Sequence, residues 1–198
     1  MIIHSAEDQH FNKCKFLNDN FLSVICGNKD VLEVGCFDGW ITELVVQHNP
    51  KKLTLLESNS FSLDLIREKF PQAQVIHGDM HKDFDKVGAV DVALMLGVIY
   101  HSPAPLLVIE ELVNHCRPND VVIDNLSPAF EWRNEPSNVP GMRYTTNDMK
   151  TCNIVINIDN EIMITTFYNL GYRLITQSQY PNNARGPGAP IFHFTVNN

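Results

Sequence analysis

The chain has 198 residues, 44% of them hydrophobic and 19% charged, with a formal net charge of −8. This length and composition predict one globular domain with a buried core, and no segment approaches the ~20 apolar residues of a transmembrane helix. The acidic balance and the absence of a Lys/Arg cluster argue against a strong nucleic-acid-binding patch. The five cysteines form no C-x-x-C pair and the first residues lack a signal-peptide pattern, so we expect reduced thiols in a cytoplasmic protein.

Strand and helix patterns alternate through the first two thirds of the chain. Residues 5–26 carry apolar side chains at helical spacing, so residues 1–28 are predicted to form a helical cover. Strands are predicted at 30–35, 52–57, 73–77, 90–96 and 121–125, and helices at 39–48, 60–69 and 103–116. This alternation predicts an α/β domain with a parallel sheet, and Asp38 is predicted to cap the helix that begins at residue 39.

The alternation stops after the fifth predicted strand. Residues 127–150 contain three prolines and few apolar positions, which predicts a long irregular insertion beside the ligand crevice of the sheet. A helix at 159–170 follows, and then strands at 172–179 and 191–196 that are joined by a loop, as in an antiparallel edge hairpin. We therefore predict that residues 1–198 form a single domain.

The most informative motif follows the first strand. The run VLEVGCFDG (residues 31–39) leads from an apolar strand into a turn with Gly35 and Gly39, and a helical pattern follows at once. Such a turn lets a nucleotide-type cofactor approach the main chain, and the next helix offers free N–H groups. A G-x-G-x-x-G dinucleotide site would need glycines at Phe37 and Trp40, so the sequence argues against a nicotinamide-dependent reductase.

This turn resembles the first motif of the class I S-adenosylmethionine-dependent methyltransferases, which has the approximate form (D/E)-x-G-x-G-x-G. Glu33, Gly35 and Gly39 match it, and Phe37 departs from it at the middle glycine. The resemblance implies a Rossmann-like seven-stranded sheet of order 3-2-1-4-5-7-6, with strand 7 antiparallel and helices on both faces. It also implies S-adenosylmethionine as the cofactor, and it places residues 127–150 on the side of the methyl acceptor.

The resemblance further implies roles for residues at the strand ends. Glu57 would accept hydrogen bonds from the ribose hydroxyls, Asp79 would receive the adenine amino group, and Met80 would pack on the ring. Glu33 would orient the turn or reach the methionine amino group. Taken without the resemblance, Glu57 also fits a solvated strand end and Asp79 a turn former. The predicted cofactor-binding residues are Glu33, Gly35, Cys36, Phe37, Gly39, Glu57, Ser58, Asp79, Met80, Leu96 and Gly97.

Two further segments resemble a narrower group. GVIYHSPAPLL (residues 97–107) and CRPNDVVID (residues 116–124) are similar to methyltransferases related to the bacterial tRNA wobble-uridine enzymes, which form methoxy- or carboxymethoxyuridine. The resemblance covers about residues 30–125 and specifies the branch, not the substrate; it implies a small-molecule or modified-nucleoside acceptor. No residues for the extra carboxylate of carboxy-S-adenosylmethionine are identified, so ordinary S-adenosylmethionine is expected.

Tyr100 and His101 are the predicted catalytic residues, because they follow the fourth strand where methyl acceptors approach. In one interpretation, His101 acts as a general base or the Tyr100 hydroxyl positions the acceptor. In the alternative, His101 forms a hydrogen bond with the backbone at the start of a helix, and Tyr100 forms part of the wall of the cofactor pocket. Arg133, Arg143 and Arg185 lie in predicted loops on this side and could clamp a carboxylate or phosphate.

The predicted reaction is in-line transfer of the methyl group to an oxygen atom. Oxygen is favoured by elimination, because the chain lacks an (N/D)-P-P-Y signature and a cysteine placed to attack a pyrimidine ring. The alternative is a catalytically silent S-adenosylmethionine-binding sensor, or a subunit that depends on a partner. His77 and His81 are four residues apart, but their stretch is predicted as strand then turn, so no metal site is predicted.

Overall fold

A seven-stranded mixed sheet forms the centre of the molecule. This computed structural model describes residues 6–125, 135–136, 142–146, 154–181 and 188–197. The strands in these ranges are β1 (Asp30–Val34), β2 (Lys52–Glu57), β3 (Gln74–His77), β4 (Val92–Met95), β5 (Asp120–Asp124), β6 (Glu135–Pro136), β7 (Met142–Thr146), β8 (Ile154–Ile158), β9 (Tyr172–Gln179) and β10 (Pro190–Val196). The α-helices are α1 (Ala6–Leu17), α2 (Ser23–Ile25), α3 (Trp40–Gln47), α4 (Ser60–Lys69), α5 (Pro105–Cys116) and α6 (Asn160–Asn169).

The strand order of the main sheet is β3-β2-β1-β4-β5-β10-β9. The first five strands in this order are parallel, and β10 runs antiparallel to both β5 and β9. The order predicted from the sequence, 3-2-1-4-5-7-6 with the last strand antiparallel, is confirmed. As a result, the C-terminal ends of β1, β2 and β4 meet at one edge of the sheet.

Alternate residues of the central strands enter two hydrophobic clusters on opposite faces of the sheet. In β4, Ala93 and Met95 pack in the cluster that contains α5 and α6, whereas Val92 and Leu94 pack with residues of α1, α3 and α4. This period of two follows from the pleat of a strand. Because both faces are covered, β4 is apolar at every position, as parallel strands usually are.

The N-terminal helical segment covers part of one face. After α1, the chain continues through a π-helical turn at Asn18–Leu22 into α2. Leu17 and Leu22 are fully buried, and the ring of Phe16 lies edge-on to Tyr180 at 5.6 Å between centroids. The boundary of a separate cover at residue 28 stays a prediction. None of the described helices has the length and apolar content needed to cross a membrane.

The prediction of an irregular insertion at 127–150 is wrong for the part that is described. β6 and β7 lie within it and pair with β8 in a second, antiparallel sheet of order β6-β7-β8. The sequence MRYTT of β7 contains the aromatic and β-branched residues that favour strands, but the preceding prolines, Pro136 and Pro140, concealed this signal. Arg143 therefore lies in a strand, while Arg133 and Arg185 lie outside the described residues.

Two helix starts also differ from the prediction. Gly39 caps α3 in the left-handed conformation without a side-chain hydrogen bond, so the predicted cap by Asp38 is wrong. The Asp38 carboxylate instead accepts a hydrogen bond from the indole N–H of Trp40. The third predicted helix begins at Pro105 and not at Pro103, because Ala104 precedes a proline and has a non-helical φ of −136° and ψ of 63°.

Candidate functional site

A cavity of about 640 Å³ lies at the C-terminal ends of β1, β2 and β4. Residues distant in the sequence meet there because the parallel strands end at the same edge. The residues predicted from the sequence that line it are Gly35, Phe37, Glu57, Ser58, Asp79, Met80, Gly97 and His101. The cavity thus brings together most of the predicted cofactor-binding set and one of the two predicted catalytic residues.

The turn after β1 presents bare backbone to the cavity. Gly35 has a φ of +70°, and its N–H donates to the carbonyl of Leu56 at 2.8 Å. A β-carbon at this position would lie 2.3 Å from Cγ1 of Val98, which lines the same cavity. Both the backbone conformation and the space therefore require glycine.

Glu57 connects the end of β2 to this turn. Its Oε2 accepts the N–H of Phe37 at 2.8 Å, and its Oε1 accepts the N–H of Asn59 at 2.7 Å. The side chain is buried, yet it lines the cavity. Because each carboxylate oxygen can accept a second hydrogen bond, Glu57 can still bind two hydroxyl groups of a ligand.

Asp79 follows β3, the strand that pairs with β2, and it also lines the cavity. Its Oδ1 accepts the backbone N–H of His81 at 2.9 Å and approaches Nδ1 of the same residue at 2.6 Å. The backbone hydrogen bond is the largest cause that lowers the pKa of Asp79, so the carboxylate is ionised at neutral pH. Met80 lines the cavity beside it.

Glu33 lies behind the cavity wall and not on it. Its side chain is 3% exposed, and its Oε2 accepts a hydrogen bond from the Thr42 hydroxyl at 2.7 Å. The pKa of Glu33 is raised to about 7. Burial is the largest cause, and the charges of Glu57 and Asp38 act in the same direction, whereas the Thr42 hydrogen bond acts against them. The contacts of Glu33 are those of a residue that holds the first turn of α3 against β1.

Three other predicted residues also lie outside the cavity lining. Cys36 and Leu96 are buried, and burial raises the pKa of the Cys36 thiol. Gly39 has a φ of +85°, and a β-carbon there would lie 2.3 Å from the ring of Phe70. In this structure Gly39 allows α3 to pack closely against α4.

Tyr100 and His101 lie in a short 3₁₀ turn after β4, with their ring centroids 4.7 Å apart. His101 lines the cavity. Burial lowers the pKa of His101, against the effect of Asp124, so the imidazole is neutral at pH 7 and can accept a proton. Tyr100 lies outside the cavity lining; burial raises its pKa, so its phenol stays protonated.

The sequence analysis missed a polar cluster centred on Asp124, at the end of β5. Asp124 is 1% exposed; its Oδ1 accepts the N–H of Gly97 at 2.6 Å, and its Oδ2 accepts from Lys13 Nζ at 3.0 Å and from the Tyr180 hydroxyl at 3.2 Å. The strand-end position of Asp124 was a usable signal. Lys13 and Tyr180 gave none, because they approach from distant segments. Asn59, which lines the cavity and caps α4, was also missed.

Comparison with known proteins shows what this site is similar to. Residues 32–123 match the family described as "Methyltransferase domain". All residues that line the cavity lie within this match. A tRNA U34 carboxymethyltransferase from Nautilia profundicola is 33% identical over 106 residues, which are 50% of this chain and 35% of the relative. The chain thus spans about a third of the length of this relative, and the predicted resemblance to the wobble-uridine branch is confirmed.

Solved structures show the same fold over almost the whole chain. The N-methyltransferase NodS of Bradyrhizobium japonicum, in complex with S-adenosylhomocysteine, has a TM-score of 0.69 at 16% identity, covering 98% of this chain and 89% of its own. The magnesium protoporphyrin IX methyltransferase ChlM of Synechocystis, with bound S-adenosylmethionine, has a TM-score of 0.65 at 11% identity, covering 95% of this chain and 78% of its own. The predicted Rossmann-like fold is confirmed, and the ligands of these two structures are the cofactor predicted from the sequence and its demethylated form.

Proposed function

We propose that this protein transfers the methyl group of S-adenosylmethionine to an acceptor that approaches the 3₁₀ turn after β4. The observation that carries the proposal is the buried Glu57 carboxylate, which two backbone N–H groups hold at the cavity wall beside the bare turn of Gly35. An acidic group at the end of the second strand next to a glycine turn suits a ribose.

In this proposal the cofactor extends across the cavity from Asp79 to Gly97. Glu57 and Ser58 bind the ribose, Asp79 accepts from the adenine amino group, and Met80 packs on the adenine ring. The turn from Gly35 to Phe37 and the backbone at Gly97 contact the methionine part. What supports this assignment is that all these residues line one cavity.

The chemical step needs little more than alignment. The sulfonium makes the methyl group electrophilic, so the protein must hold the acceptor in line and exclude water. His101 is the group at the cavity that can take up the acceptor's proton, because it is neutral at pH 7. We propose an oxygen acceptor on a small molecule or a modified nucleoside, and the relative's activity on tRNA U34 makes tRNA part of the test.

Calorimetry tests the cofactor assignment. The wild-type protein is expected to bind S-adenosylmethionine and S-adenosylhomocysteine but not NADH. Glu57→Gln places an amide NH₂ against a backbone N–H and removes the charge, so affinity should fall about tenfold or more. Glu68→Gln, on the exposed surface of α4, is the matched control and should leave affinity unchanged. Failure of the wild type to bind either ligand overturns the proposal.

A transfer assay then separates an enzyme from a silent binding protein. Radiolabelled S-adenosylmethionine is incubated with unmodified tRNA, hydroxyuridine-containing tRNA, and panels of small hydroxyl and carboxylic compounds. The proposal expects label in an oxygen-bearing acceptor, with a lower rate for His101→Ala. Binding of cofactor without transfer to any acceptor would favour the sensor or partner-dependent subunit.

A further inference from the structure

We propose that His81 is a positioning residue for adenine recognition, which holds the carboxylate of Asp79 and ties it to Ser102 across the cavity. The proposal rests on the function proposed above, because it assigns adenine to Asp79. His81 lines the cavity, and its two ring nitrogens contact partners from different parts of the chain. These contacts join the loop after β3 to the segment after β4.

The hydrogen-bond chain has defined geometry. Nδ1 of His81 lies 2.6 Å from Oδ1 of Asp79, and Nε2 lies 2.8 Å from Oγ of Ser102. The Ser102 oxygen also accepts the N–H of Ala104 at 2.9 Å, at the entry to α5. Ser102 is fully buried, whereas His81 is half-buried. The imidazole is therefore held at both ends.

Proton counting distinguishes the two neutral tautomers of His81. The ionised carboxylate of Asp79 can only accept, so Nδ1 of His81 must donate to it. In the neutral imidazole, Nε2 is then an acceptor, and the Ser102 hydroxyl donates to it while accepting from Ala104. Both ring nitrogens of His81 thus have a partner. The imidazole can therefore keep one orientation.

The order Asp79, His81, Ser102 is that of a hydrolase triad, but the burial excludes this role. Ser102 is 0% exposed, and its oxygen is already engaged with the N–H of Ala104. A nucleophile must instead be accessible to the reacting carbon. The chain is better suited to fixing the direction of the carboxylate.

The carboxylate that His81 fixes has one oxygen left for a ligand. Oδ1 of Asp79 accepts two hydrogen bonds from His81, whereas Oδ2 makes none with the residues that the structure describes. An adenine amino group would donate to Oδ2. Loss of the imidazole leaves the backbone N–H of His81 in place but frees the carboxylate to rotate. Discrimination by the 6-amino group should then weaken while the fold persists.

The test compares two ligands that differ at the adenine amino group. Calorimetry measures the Kd of S-adenosylhomocysteine and of S-inosylhomocysteine, whose ring carbonyl would face the Asp79 carboxylate. The wild type should prefer the adenine ligand at least tenfold, and His81→Ala should reduce this preference at least threefold. His77→Ala, four residues earlier on an exposed position, is the matched control and should leave it unchanged.

Rescue distinguishes positioning from general support of the fold. The amide nitrogen of His81→Asn can occupy the place of Nδ1 and donate to Asp79, so it should restore most of the preference. His81→Gln extends toward Ser102 and should not restore it, and this pair decides the question if His81→Ala does not fold. The inference is overturned if His81→Asn and His81→Gln prefer S-adenosylhomocysteine over S-inosylhomocysteine equally. It is also overturned if His81→Ala keeps the wild-type preference. A wild type that binds neither ligand overturns the proposed function itself.

Discussion

At the scale of single residues, Gly35 is the position where the cavity tolerates least change. Its φ of +70° is unfavourable for any residue with a β-carbon, and Val98 occupies the space that this carbon would need. Gly88 has a similar φ of +79°, but nothing lies within 4 Å of the place of its missing β-carbon. Comparing alanine substitutions at these two glycines therefore separates the cost of backbone strain from the cost of steric conflict.

Gly35→Ala should destabilise the protein by about 2–4 kcal/mol, because strain and overpacking add. Gly88→Ala should cost only about 1 kcal/mol, which is the strain alone. Adding Val98→Ala to Gly35→Ala should recover part of the loss, and urea unfolding of the wild type, Gly35→Ala, Val98→Ala and the double variant measures the coupling. Equal losses for the two glycine variants would contradict the steric conflict.

At the scale of elements, the N-terminal helix is held to the sheet by an ion pair as well as by apolar packing. Lys13 of α1 contacts Asp124 at the end of β5 at 3.0 Å, and its ammonium lies 4.8 Å from the centre of the Tyr180 ring. Asp124 also fixes the backbone at Gly97 on the cavity wall. The attachment of α1 is thus connected to the shape of the cavity.

Lys13→Met should destabilise the protein by about 1–3 kcal/mol, since it leaves a buried carboxylate without its cation. Lys15→Met is the matched control: Lys15 pairs with Asp19 on the exposed surface, and its loss should cost less than about 0.5 kcal/mol. Urea unfolding measures both, and hydrogen exchange of the α1 amides reports local release. Similar losses in the two variants would show that Asp124 does not anchor the helix.

The elements of the main sheet and the strand-end residues of the site were predictable from the sequence, whereas the second sheet and the contacts between distant segments were not. Apolar runs and glycine turns are local signals, and parallel strand ends meet by the geometry of the fold, so Glu57 and Asp79 were found. Lys13 reaches Asp124 across 111 residues, and no periodicity records such a contact. The same holds for His81 and Ser102. Glu33 and Gly39 matched the motif, but only packing shows that they lie behind the wall.

At the scale of the whole molecule, the sheet is covered on both faces, and a carboxyl group in one of its inner strands, β1, is cut off from water. Glu33 lies between Leu55 of β2 and Leu94 of β4 in register, and both leucines are fully buried. Burial raises the pKa of Glu33 from its ordinary range to about 7. The global stability of the fold should therefore depend on pH through this group.

The stabilisation linked to protonated Glu33 is complete below about pH 4.5 and is lost as pH rises toward 7, because the native state binds the proton more tightly than the unfolded chain. The Glu33→Gln variant has no titratable group at this position, so it should not lose this stabilisation as pH rises. Relative to the variant, the wild type should lose up to roughly 3 kcal/mol between pH 5 and 8, measured by urea unfolding. Glu68→Gln should follow the wild type, and parallel curves for wild type and Glu33→Gln would contradict the assignment.

Phe37 occupies the place of the middle glycine, and it does so with glycine's backbone. Its φ is +48°, a conformation that bulky residues rarely adopt, and the hydrogen bond from its N–H to Glu57 compensates for that. The residue is 58% exposed, although it lines the cavity. Phe37 therefore adds to this wall an apolar aromatic surface that a glycine at the same position would not provide.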